Sequence, residues 1–167
     1  MVDYTDIENI LVKLDIMYTG ESDAHNQILY SKLALLELSG WIEQSFDIIL
    51  KDYMLIHISS LYFQYAEKAV ISKNNSFKWD TNIRTMFRNI LGMKNLEYIE
   101  YYIENQFAGV SIMKSTFDTI IEERNKAAHT YTPIALTRSY TSPSVSLSHF
   151  RTLKPILAEM EKMVRTL

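Results

Sequence analysis

The chain has 167 residues, 47% of them hydrophobic, and a formal net charge of -3 at pH 7, which is the size and apolar content of one domain with its own core. It has no cysteine, so disulfides, thiolate metal sites and a cysteine nucleophile are excluded. A pI near 5.8 argues against a broad basic footprint that grips duplex nucleic acid through many phosphates, but not against a small catalytic groove, where a few local cations suffice.

The segment Met1-Val2-Asp3-Tyr4-Thr5-Asp6 is acidic and polar, unlike the basic and then apolar start of a secretory signal. The longest uncharged run lies between Asp52 and Glu67 and holds His57, Ser59, Ser60 and Gln64, too short and too polar to span a bilayer. The expectation is a cytoplasmic protein with no membrane helix.

Four glycines and three prolines punctuate the chain, and apolar residues recur at three- and four-residue spacings, which predicts an all-α fold in one domain, 1–167. A first helix is expected over about Asp3 to Met17, with Ile7, Ile10, Leu11, Leu14 and Met17 on one face and Gly20 ending it. Asp23 caps a long second helix, whose apolar surface runs from Ile28 to Leu50 and whose boundary falls near Lys51. A third spans Tyr53 to about Ser72 and ends at the polar run Lys73-Asn74-Asn75-Ser76. Asp80 or Thr81 then caps a short helix through Ile90, Gly92 terminates it, and Asn95 caps another carrying Leu96, Ile99 and Ile103. The spacing of Ile112, Thr116, Phe117, Ile120 and Ile121 predicts a helix from Val110 to near His129, with Pro133 as its hard limit. Residues 130–146 read as a loop. In the last helix Pro155 is either a first-turn proline or a kink in a helix begun near Ser146.

One anomaly carries chemistry. At 100° per residue, Phe117, Ile120, Ile121, Arg124 and Ala128 share one narrow stripe, which puts Arg124 at the centre of an apolar face. A guanidinium there needs an acidic residue, an interface or an anionic ligand, because its desolvation costs several kcal/mol. Asn125 and His129 are four apart on the adjacent face, and the small residues Ala127 and Ala128 let another helix or a substrate strand approach. Together, Arg124, Asn125 and His129 supply what phosphodiester cleavage needs without a metal. Histidine moves protons to or from the 2′-hydroxyl and the leaving 5′-oxygen, arginine stabilises the extra negative charge of the transition state, and asparagine orients either. The nucleophile is present in RNA and absent from DNA, so the constellation predicts a ribonuclease leaving a 2′,3′-cyclic phosphate.

Arg124-Asn125-Lys126-Ala127-Ala128-His129 fits R-x4-6-H with a polar residue directly after the arginine, and so resembles the hallmark of HEPN domains. In a chain with six arginines and four histidines, chance gives that spacing roughly 0.4 times, and demanding the asparagine lowers this to about 0.02. Continued to Tyr131, the segment reads R-x4-H-x-Y and resembles HEPN toxins whose nucleotidyltransferase antitoxin adenylylates that tyrosine. Leu35-Leu36-Glu37-Leu38-Ser39-Gly40-Trp41-Ile42-Glu43 also looks like the second helix of prokaryotic HEPN proteins. The resemblance implies a helical bundle with a four-helix up-and-down core plus short extra helices. It further implies a homodimer whose motifs meet in one composite cleft, no cofactor or metal, and a toxin role in a toxin-antitoxin or phage-defence system.

Each of these residues also has a plainer reading. Arg124 is also accounted for by a salt bridge to Glu37, Glu43 or Asp47, and His129, taken alone, by a helix C-terminus favourable to histidine. Tyr131 is either a modification site, loop packing or a stacking surface. Lys126 and Arg138 flank the motif as candidates for guiding RNA, whereas Arg84 and Arg88, one turn apart, fit a solvated face. His25, His57 and His149 have no such neighbours and no zinc spacing. The alternative to an enzyme is a non-catalytic HEPN-like module that binds RNA, nucleotide or protein.

Overall fold

A computed structural model describes residues 1–129 and 140–167. Tyr131 and Arg138 lie outside the described residues, which form seven α-helices and no strand. These are α1 (Thr5–Gly20), α2 (Ala24–His57), α3 (Ser60–Ala69), α4 (Arg84–Leu91), α5 (Met93–Phe107), α6 (Gly109–Ala128) and α7 (Pro143–Arg165), with a 3-10 turn at Ile71–Lys73 and a π-helical turn at Trp79–Ile83. No helix of the described residues is long and apolar enough to cross a membrane.

Named contacts fix the helix directions. α1 and α2 form an antiparallel hairpin across a short link, with Asp23 capping α2 through the amide of His25 at 3.0 Å. Lys154 of α7 meets Glu8 at 2.7 Å while Glu161 takes the amide of Val2 at 3.0 Å, so α1 and α7 are antiparallel. Phe150 packs edge-on against Trp41 at 5.0 Å and Arg165 pairs with Asp52 at 2.8 Å, which makes α7 parallel to α2. On α6, Arg124 pairs with Glu43 and Phe117 meets Phe46 at 5.9 Å, so α6 runs against α2. Helices α1, α2, α6 and α7 thus alternate in direction as a four-helix bundle, and α3, α4 and α5 are inserted between its second and third members. Phe46, Phe77, Phe87 and Phe117 interlock edge to face at the centre, all fully buried.

Several boundaries differ from the expectation. α2 does not break near Lys51 but runs 34 residues to His57, because nothing in Lys51-Asp52-Tyr53 interrupts a helix and Leu50 and Met54 keep its core stripe buried. The break falls at Ile58 and Ser59, both extended, which leaves α3 only ten residues. Asp80 and Thr81 cap nothing; they lie inside the π-helical turn, and the Thr81 hydroxyl donates to Asn82 at 2.8 Å. Nor does Asn95 cap α5, since its amide reaches back to the Leu91 carbonyl at 3.0 Å. Gly92, at φ 82°, ends α4 and starts α5, a conformation that a Cβ disfavours. The first-turn proline of α7 is Pro143, and Pro155 lies within the helix. Ile10 and Met17 are 40% and 39% exposed and so leave the core face of α1 to Ile7, Leu11 and Leu14.

Where α5 turns into α6 the chain is tight. A Cβ on Gly109 would collide with Ile103 Cγ2 and stand 3.0 Å from Ile156 Cγ2. The preceding Ala108 takes the left-handed conformation, φ 50° and ψ 31°, which costs an L-residue roughly 1–2 kcal/mol. Ala108→Gly is therefore expected to raise stability by about 0.5–1 kcal/mol, part of the relief being offset by glycine's freedom when unfolded. Thermal denaturation measures it.

Candidate active site

α6 carries Met113, Phe117, Ile120 and Ala127 into the core, and Arg124 lies at the middle of that stripe, four residues beyond Ile120. The stripe is rotated toward Ala127, so Ala128, expected inside, is exposed. Of the two small residues thought to admit a neighbour, only Ala128 remains available. Arg124 sits at the rim of the core, its side chain 22% exposed and paired with that of Glu43, itself 34% exposed. A second guanidinium nitrogen donates to Asn125 Oδ1 at 3.4 Å, and the guanidinium carbon stands 5.9 Å from the Phe77 ring centroid, within cation-π range. A carboxylate on one side and an aromatic face on the other hold the fork in place. Glu43 is thus the acidic partner among the three the sequence offered. The contact with Phe77 was not legible, because Phe77 follows the polar run Lys73-Asn74-Asn75-Ser76 outside any helical period that would show which way it turns.

Asn125 and His129 are both exposed. His129 closes α6 as its C-cap, at φ -100° and ψ 5°, and its amide donates to the Asn125 carbonyl at 3.3 Å. Five residues separate it from Arg124, about 140° around the axis at 100° per residue. The helix therefore presents the two groups from different sides of one end. Lys126 is exposed and pairs with Glu122 at 2.6 Å, about 60° around the axis from His129 and well away from Arg124. Tyr131 and Arg138 lie outside the described residues. On the opposite flank of α6, Glu123 accepts the Thr141 hydroxyl at 2.6 Å and so ties the approach to α7 to the same end of the bundle.

The other histidines stand apart. His57 stacks on Tyr53 at 4.3 Å, and His25 Nδ1 is buried without a hydrogen-bond partner. Burial holds the imidazole of His149 below its usual value, against the opposite pull of the Glu123 carboxylate. Arg84 is engaged by Glu100 at 2.8 Å, and Arg88 donates to Asn89 Oδ1 at 3.4 Å. No group of three or more His, Asp or Glu among the described residues is placed to hold a metal ion.

One turn beyond Glu43, Asp47 is pushed from 3.8 up to about 6, first by burial and then by the carboxylates of Glu43 and Glu67, while Lys51 opposes the shift. The fold favours its protonated form, so the stability it contributes is complete below about pH 4 and is lost as pH rises through about 6. Asp47→Asn is expected to be more stable than the parent at pH 7.5, by about 1–2 kcal/mol after allowance for solvent screening. In urea titrations the gap between the two proteins opens between pH 4 and 6; a gap independent of pH would contradict it.

Comparison with known protein families, with characterised proteins and with solved structures finds no match to this chain.

Proposed function

We propose that the chain is an endoribonuclease of the HEPN type that cleaves RNA without a metal, by attack of the 2′-hydroxyl on the adjacent phosphate. The observation that carries this reading is the end of α6. A guanidinium is held at the rim of the core by Glu43 and Phe77, next to an exposed asparagine and at the same helix end as an exposed histidine. His129 moves the proton of the 2′-hydroxyl or of the leaving 5′-oxygen, Arg124 stabilises the charge that builds on the phosphorane oxygens, and Asn125 orients the arginine.

Because Arg124 and His129 of one protomer diverge by about 140°, a single α6 does not aim both at one phosphate. A second copy related by a twofold axis supplies the missing group, and in that pairing His129 of one protomer works with Arg124 of its partner. The resemblance extends the reading to a cytoplasmic toxin of a toxin-antitoxin or phage-defence system, with Tyr131 as the residue that a nucleotidyltransferase antitoxin modifies and Lys126 and Arg138 guiding RNA.

The existing Glu43 partner of Arg124 favours a second reading, a non-catalytic module in which the motif binds RNA or nucleotide, or joins protomers. The two part in one experiment. Purified protein is incubated with an RNA oligonucleotide and with its DNA counterpart in excess EDTA, and the products are resolved by end group. The enzyme cuts RNA alone and leaves 2′,3′-cyclic phosphate; a binding module shifts the RNA on a native gel and leaves it intact.

A further inference from the structure

α3 is a helix without a core face. Its ten residues fall below the roughly 12–15 that a helix needs to persist alone in water, and none of them is buried. Phe63 and Ala66 lean on the core half-buried, and Lys51 of α2 pairs with Glu67 at 2.8 Å, which folds α3 back on α2. On the other side Leu61, Tyr62 and Tyr65 are 72%, 65% and 73% exposed, and the last turn of α2 adds Leu55 and Ile56 at 68% each. Isolated exposed apolar residues are ordinary, but five within one hairpin tip are a patch that calls for a partner.

We propose that the tip of the α2–α3 hairpin is a self-association face, on which a second copy of the chain docks α3 against α3 about a twofold axis. Two features of the patch fit a second copy. Residues 53–66 contain no Asp, Glu, Lys or Arg, so nothing in the patch chooses a partner by charge. A twofold interface, in contrast, sets side chains near the axis against their own mates and tolerates such a patch without like-charge repulsion. The area also fits. Five large side chains about two-thirds exposed offer roughly 600–700 Å² per protomer, close to the ~800 Å² that each partner of a stable interface covers. The tyrosine hydroxyls keep hydrogen bonds to water at the rim while their rings supply the contact.

This face is separate from the α6 site. Leu55 lies about 18 Å along α2 from Glu43, at 1.5 Å per residue, so pairing through α3 neither needs nor blocks Arg124 and His129. A chain that uses both contacts assembles beyond a dimer.

The test is hydrogen–deuterium exchange of the full chain at about 1 µM and about 100 µM, with sedimentation velocity at both concentrations. Amides 60–69 of the wild type are expected to exchange at least about tenfold more slowly at the higher concentration, as a larger species appears. Leu61→Glu/Tyr65→Glu loses both effects, and the neutral pair Leu61→Ser/Tyr65→Ser weakens both, while circular dichroism stays helical. Exchange of α3 that ignores concentration overturns the proposal, as does a double variant that sediments like the wild type. Protection that rises only around 124–129 also overturns it, and leaves the α6 pairing standing.

Discussion

His129→Ala is expected to lower RNA cleavage by about a thousandfold, within the range that removal of a general acid-base group produces, and to leave the fold untouched. His129 is exposed at the last turn of α6, where a substitution costs within about 0.5 kcal/mol and moves the melting temperature by no more than about 2 °C. Arg124→Ala lowers cleavage by about 10²–10³ and costs roughly 1 kcal/mol in addition, because it removes both the ion pair to Glu43 and the contact with Phe77. The separation between activity and stability is the informative part. Were the motif merely structural, His129→Ala would change neither quantity, and Arg124→Ala would register only in denaturation. Single-turnover cleavage beside thermal melts on the same preparations distinguishes the two.

Phe117→Ala is expected to destabilise the protein by about 3–5 kcal/mol, the usual cost of emptying a fully buried aromatic site. Phe117 is 0% exposed and meets two rings edge to face, Phe46 at 5.9 Å and Phe77 at 5.4 Å. Against a total stability of roughly 5–15 kcal/mol, such a loss lowers the melting temperature by about 10 °C or more. It also reaches the site. Phe77 carries the Arg124 guanidinium on its face, so the cavity left by Phe117 loosens the surface on which the arginine rests. A change below about 1 kcal/mol would mean that the ring cluster does not join α2, α6 and the Phe77 segment as described.

What the sequence disclosed and what it withheld have physical causes. The span of α6 was legible because the spacing of Ile112, Thr116, Phe117, Ile120 and Ile121 is helical without interruption and Pro133 limits it downstream, and the misfit of Arg124 was visible on that same stripe. Its partner was not, since Glu37, Glu43 and Asp47 all lie on α2 and only the crossing of α2 with α6 decides among them. That crossing selects Glu43; Asp47 lies among Lys51 and Glu67, and Glu37 is exposed beside Trp41 and Asp6 along the α1–α2 seam. Phe77 stayed hidden because a loop has no periodicity to show which way an aromatic turns. The end of α2 is not legible because no glycine or proline marks the turn at Ile58 and Ser59, where the backbone becomes extended. In the sequence Gly92 marks only a stop, whereas in the fold its positive φ also sets the start of α5.

The most direct measurement of the central claim is RNA cleavage in excess EDTA by wild type, by Arg124→Ala, by His129→Ala, and by the two variants mixed so that protomers exchange. If Arg124 of one copy works with His129 of the other, each variant alone is silent and the mixture recovers about a quarter of wild-type activity, since half of the dimers are mixed and each restores one of two pairs. An inert wild type, or a mixture as silent as its components, would contradict the claim.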